Sequence, residues 1–169
     1  MLLPLYMSRL GSGIEDWTFG CFIDVEALKG DDNPNSDWYN LYYKILNSED
    51  TGVYKIVWPD LVEKSSLFSS SILYIGGNPK MGPLRDRLCD HIEGKEGAGN
   101  QQKVRTNVIQ KIASNDDFGK IRVDYMLDNL NPGLLEKELL ANHLEEFGMN
   151  PPLNSPYQGR PELLKIIEL

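Results

Sequence analysis

Cysteine and histidine are scarce in this chain. Cys21 and Cys89 are its only cysteines, and His91 and His143 its only histidines, among 169 residues. The cysteines lie far apart with no Cys/His cluster around either, which argues against a disulfide framework or a structural zinc site. No apolar run approaches the ~20 residues needed to span a bilayer. The opening Met1-Leu2-Leu3-Pro4-Leu5-Tyr6-Met7 also lacks the basic start and long apolar centre of a secretion signal. A reducing, cytoplasmic setting is expected, with no membrane partner. Internal repeats are absent, and the serines between Ser65 and Ser71 are the nearest thing to a low-complexity tract.

Basic residues are in deficit, with 17 Lys and Arg against 25 Asp and Glu and a formal net charge of −8. That excludes a protein coating nucleic acid by charge alone, because phosphate neutralisation by Lys and Arg supplies most of such affinity. The deficit is uneven. Residues 1–51 hold three basic residues against nine acidic, a net of −6, whereas Lys80 to Arg122 holds nine against six, a net of +3. A moderately basic surface is thus available on one part of the chain.

What is present is an ordinary globular composition, 41% hydrophobic and 25% charged, in a length that suits one core with an extension. Gly30-Asp31-Asp32-Asn33-Pro34-Asn35-Ser36 is a cluster of turn formers. Before it, Trp17 to Ile23 reads as a short aromatic strand. After it, Asp37 to Leu46 reads as a helix capped by Ser36 or Asp37, with Trp38, Leu41, Tyr42 and Ile45 on a core-facing stripe. From Gly52 onward the order is β-β-α-α-β-α. Strands are expected at Gly52–Val57, Ile72–Gly76 and Ile121–Leu127. Helices are expected from Pro83 to Ile92, from Asn100 to Ala113 and from Leu134 to Phe147, the last opened by Pro132-Gly133 and closed by Gly148.

Tyr54 and Tyr74 fall on adjacent strands, and antiparallel pairing would let both phenols approach one point on the sheet; alone they read equally as half-buried sheet residues. Arg87 and His91, at i and i+4, share a helix face just downstream. Arginine presents a planar fork suited to phosphate oxygens, and a histidine there can orient or protonate neighbouring groups. On the long helix, Glu138, Asn142 and Glu145 fall on one stripe, and a carboxylate beside an apolar face suits a Mg²⁺ that keeps several waters. His143 lies off that stripe and reads as structural.

In this order, Gly52-Val53-Tyr54, Tyr74-Ile75-Gly76, Arg87 with His91, Leu135-Glu136-Lys137-Glu138 and Pro151-Pro152-Leu153-Asn154 resemble the motifs of the GIY-YIG endonuclease superfamily. The resemblance covers residues 52–154, leaving 1–51 as an acidic N-terminal extension packed on the core and 155–169 as a C-terminal tail or helix. It implies an α/β (α+β) fold, a small three-stranded antiparallel sheet flanked by helices, and DNA cleavage with one Mg²⁺ or Mn²⁺. It further implies that Tyr54 activates water and Tyr74 positions it, while Arg87 stabilises the phosphorane with His91 beside it. Glu138 would hold the metal and Asn154 brace the site, with Gly76, Lys80, Arg85 and Lys103 along the substrate. The loop after Gly76 is longer than the family's, so Arg85 competes with Arg87, and Glu136 with Glu138. Arg87 is preferred for its reach to His91, and Glu138 for its stripe with Asn142. Expected partners are DNA, a second copy of the chain as a homodimer on DNA, and a protein meeting the acidic N-terminal segment. The rival expectation is a catalytically degenerate binding module of the same fold.

Overall fold

The computed structural model describes residues 16–23, 28, 34–77, 83–128 and 130–169. The first seven residues, the turn formers Gly30 to Asn33, and Lys80 lie outside the described residues. Four strands, β1 (Thr18–Ile23), β2 (Gly52–Val57), β3 (Ile72–Gly77) and β4 (Ile121–Leu127), form one open antiparallel sheet in the order β1-β4-β2-β3. Six α-helices accompany them among the described residues: α1 (Asp37–Asn40), α2 (Leu61–Lys64), α3 (Leu84–Ile92), α4 (Asn100–Ala113), α5 (Pro132–Phe147) and α6 (Arg160–Ile166). The sheet therefore has four strands rather than the three expected from the resemblance. The extra strand is β1, which pairs with β4 a hundred residues downstream.

Alternation along β2 sorts the core into two parts. Tyr54 and Ile56 enter the main cluster with Leu84, Leu88 and Ile92 of α3 and Val108, Ile109 and Ile112 of α4. Val53 enters a smaller cluster with Ile75 and Leu139, against which Leu135 and Leu140 also pack, so α5 covers the other face. Leu84, Leu88 and Ile92, four apart on α3, are all buried, as are Val108 and Ile112 on α4, with Val104 partly buried against them. At α5 the Asn131 side chain accepts from the Leu134 amide at 3.1 Å, and Gly148 closes the helix in the left-handed conformation (φ 72°).

The described part of residues 16–51 belongs to the same core. Cys21, Ile23, Trp38, Leu41 and Leu46 are all buried in the main cluster. Three bonds fix this segment to the α3 region: Trp38 Nε1 donates to Glu93 Oε1 (2.8 Å), Tyr42 donates its hydroxyl to Asp86 (3.0 Å) and the Leu84 amide donates to the Asp50 carbonyl (2.8 Å). The Ser36 hydroxyl caps α1 by accepting from the Tyr39 amide.

The helix expected to run regularly through Leu46 changes form at Leu41, where a π-helical turn spans Leu41–Ile45 and the Leu46 amide donates to the Leu41 carbonyl at 2.9 Å. A π turn takes one more residue than an α turn. The buried position therefore moves from Ile45, which is 51% exposed, to Leu46, at 2%. This corrects the expected stripe. Leu46→Ala is expected to destabilise by about 2–5 kcal/mol through a core cavity, and Ile45→Ala by less than about 0.5 kcal/mol. Urea unfolding midpoints of the two variants measure the difference.

Candidate functional site

The site gathers at the end of the β2-β3 pair. Tyr54 sits directly across from Gly76 in the ladder, and Tyr74 lies two residues before that glycine. A Cβ on Gly76 would come within 2.5 Å of Tyr74 Cε1 and 3.0 Å of the Tyr54 hydroxyl, so the bare backbone is what admits both phenols. The rings lie 6.0 Å apart, and the His91 ring completes the group at 6.0 Å from Tyr54 and 5.0 Å from Tyr74. His91 and Tyr54 are wholly buried, and Tyr74 keeps 6% of its surface.

Gly77 performs a second task. The Glu136 carboxylate, carried by α5 on the opposite face of the sheet, accepts a bond from the Gly77 amide. A Cβ on Gly77 would lie 2.9 Å from Glu136 Oε2. Two glycines in succession thus open a gap at the strand end through which a carboxylate from one layer faces tyrosines from the other. Glu138 is two residues, or about 200°, further round the helix and has no ion pair or hydrogen bond among the described residues. Of the two carboxylates left in competition by the sequence, Glu136 is the one beside Gly77, whereas Glu138, the preferred one, is not. A single carboxylate is a hard oxygen donor of the kind that suits Mg²⁺ or Mn²⁺, ions that complete their coordination with waters and substrate oxygens.

The cations sort equally clearly. Arg87 lies close enough to Tyr54, Tyr74, His91 and Glu136 to act on the ionisation of each, and its Nη1 stands 3.9 Å from Asp90. Arg85 turns away, with its guanidinium 5.2 Å from the Tyr42 ring centre and Nε 3.6 Å from Asp86. Lys103 is an exposed residue of α4. Arg105, on the same helix and not singled out from the sequence, lies 4.8 Å over the Tyr74 ring. Its position at the edge of the apolar stripe was the one available signal.

Asn154 braces the strand carrying Tyr74. Its side-chain oxygen accepts from the Ile75 amide (2.8 Å) and its nitrogen donates to the Ile75 carbonyl (2.7 Å), standing in for a neighbouring strand. His143 is structural as expected: Nδ1 meets the Met149 carbonyl at 2.7 Å and Nε2 the Ser70 hydroxyl at 2.9 Å.

Burial dominates the ionisation of the group. It pushes the Tyr54 phenol well above its ordinary value, with the neighbouring Tyr74 adding to the rise and Arg87 and Arg105 opposing it. Burial also raises Tyr74 and Glu136, each against the pull of the two arginines. His91 is driven down to about 3, first by burial and then by Arg105 and Arg87, so the imidazole is neutral at physiological pH. The Tyr54 hydroxyl and both His91 nitrogens have no hydrogen-bond partner of good geometry among the described residues. The folded pKa of His91 lies below its ordinary value of 6.5, so the unfolded chain takes up that proton first. The stability tied to neutral His91 is complete above pH 6.5 and drains as pH falls toward about 3. His91→Phe is expected to flatten this acid limb by up to one proton, roughly 1.4 kcal/mol per pH unit, in denaturant unfolding measured across that range.

Among the described residues, no helix is long and apolar enough to cross a membrane. No family model, curated protein or solved structure matches the chain.

Proposed function

We propose that this chain is a GIY-YIG-like, metal-dependent DNA endonuclease that hydrolyses phosphodiester bonds. One observation carries the reading: Tyr54, Tyr74, Arg87, His91 and Glu136, from four separate elements, meet at the Gly76-Gly77 gap. Phosphoryl chemistry of this kind needs an oriented water, a cation aimed at the charge that develops on phosphorus, and a carboxylate for a divalent ion. Arg87 supplies the fork that grips equatorial phosphate oxygens. Tyr54 and Tyr74 place hydroxyls beside it; in the resting site both remain protonated, so they first act by orienting the water and the phosphate. Their pocket is walled by the neutral His91 ring, which keeps bulk water from the buried phenol. Glu136 would hold the Mg²⁺ or Mn²⁺, which when bound supplies Lewis acidity at the phosphate. Asn154 fixes the strand on which Tyr74 rides.

The test is incubation of the full chain with duplex, branched and single-stranded DNA in Mg²⁺ or Mn²⁺. Strand scission that is lost in EDTA and in Arg87→Ala is the expected result; no scission of any substrate with either metal sinks the reading. A second reading rests on the complete burial of Tyr54, which opposes its ionisation. It is a binding module that keeps the arginines and has lost turnover. Stable DNA or protein complexes without scission would select it.

A further inference from the structure

We propose that Arg105 is a second substrate-binding cation of this site, gripping phosphate oxygens of the nucleic acid alongside Arg87. The inference deepens the nuclease reading and rests on it for the identity of the ligand. Arg105 Nε donates to the Leu153 carbonyl at 3.1 Å, and that carbonyl also accepts from Arg160 Nη2 at 2.9 Å. The guanidinium is thus held from behind by the segment that carries Asn154. Its plane is steadied by the Tyr74 ring, 4.8 Å away. Both terminal nitrogens are left without a protein partner among the described residues, so a donor pair fixed in direction has nothing yet to bind.

The surrounding charges make this notable in a chain of net charge −8. Arg85, Arg87 and Arg122 each stand within 4 Å of a carboxylate. Arg105 has none within that distance among the described residues. Its neighbour is Arg160, buried and bonded to the Pro152 and Leu153 carbonyls and to Gln101. Two adjacent guanidiniums with no carboxylate within 4 Å of either among the described residues repel one another, and an anion relieves that repulsion. Arg160 has no free fork, which leaves Arg105 as the arm that can take the anion. A phosphodiester is the fitting class, since its two non-bridging oxygens match the fork. The Tyr74 ring that Arg105 covers is itself 5.0 Å from His91 and 6.0 Å from Tyr54, which places the guanidinium beside the same group.

The rival is a plain brace between α4 and Leu153. To separate the two, Arg105→Gln and Arg105→Lys are made in the full chain, and binding of a fluorescein-labelled DNA duplex is followed by anisotropy with Ca²⁺ in place of Mg²⁺. Each phosphate contact contributes about 0.9 to the slope of log affinity against log salt. Arg105→Gln is expected to lower that slope by about 0.9, while Arg105→Lys holds the slope and, in a parallel cleavage assay with Mg²⁺, loses about tenfold in kcat because the fork is gone. An unchanged slope in Arg105→Gln, with losses that follow a fall in Tm, makes the residue a brace and overturns the proposal; so does a wild type that binds no DNA. A wild type that cleaves nothing but shows the slope change leaves the Arg105 assignment standing and removes the nuclease reading.

Discussion

Glu136→Ala is expected to abolish metal-supported DNA cleavage, by on the order of 1,000-fold, while Glu138→Ala stays within a factor of about two of the unaltered chain. A bound divalent ion supplies several kcal/mol of transition-state stabilisation, and each 1.4 kcal/mol, approximately, is tenfold in rate. Only Glu136 reaches the Gly77 amide and the two tyrosines' neighbourhood. The carboxylate is half-buried, its pKa raised by burial and held back by Arg87 and Arg105. Removing it also strips the pocket of its negative charge and leaves two arginines facing one another, so DNA binding is expected to hold or tighten as turnover disappears. Initial cleavage rates and anisotropy titrations on both variants check the pair. Equal rates for Glu136→Ala and Glu138→Ala would show that the carboxylate at the glycine gap holds no ion.

Tyr54→Phe is expected to separate stability from activity. Its hydroxyl is fully buried without a well-formed hydrogen bond among the described residues, and leaving such a group unsatisfied costs about 1–3 kcal/mol. Phenylalanine keeps the ring that packs against Tyr74 and His91 and removes the orphaned oxygen. The variant should gain about 1 kcal/mol in stability while cleavage falls about 100-fold or more, because water would lose its orienting group. Functional sites commonly carry such a stability cost. Differential scanning calorimetry and cleavage rates on one preparation read both effects. A destabilised Tyr54→Phe that still cleaves would mean that the hydroxyl serves packing alone.

How far the sequence foretold this arrangement depended on whether the needed signal was local. Pro83, Pro132 and Gly148 mark helix ends by backbone chemistry that travels with the residue, and α3 and α5 lie where that punctuation puts them. The strand from Trp17 was legible as a strand, but its partner was not, since β1 pairs with β4 across a hundred residues and no local pattern encodes that choice. Antiparallel pairing of the two motif strands, the condition under which Tyr54 and Tyr74 would approach one point, is the pairing observed. The choice between Glu136 and Glu138 stayed open in the sequence because leucines at 134, 135, 139, 140 and 144 nearly encircle α5. Periodicity could not choose a face, and the packed face proved to be that of Leu135 and Leu139. Ile45 was misplaced because a π turn has no simple sequence signature. Arg105 escaped because its role depends on Tyr74 and Leu153, neither of them near in sequence.

The Asn154 brace carries a further consequence for the order in which the chain becomes competent. Its two bonds close over 79 residues of separation, and the β1-β4 ladder closes over more. Loop closure of that length precedes the contacts that reward it, so a sheet of this topology forms slowly compared with a helical bundle. A nascent chain that has not yet reached residue 154 lacks the side chain that anchors the strand of Tyr74. The side chains at the Gly76-Gly77 gap are therefore held in their final arrangement only after residue 154 has joined the fold.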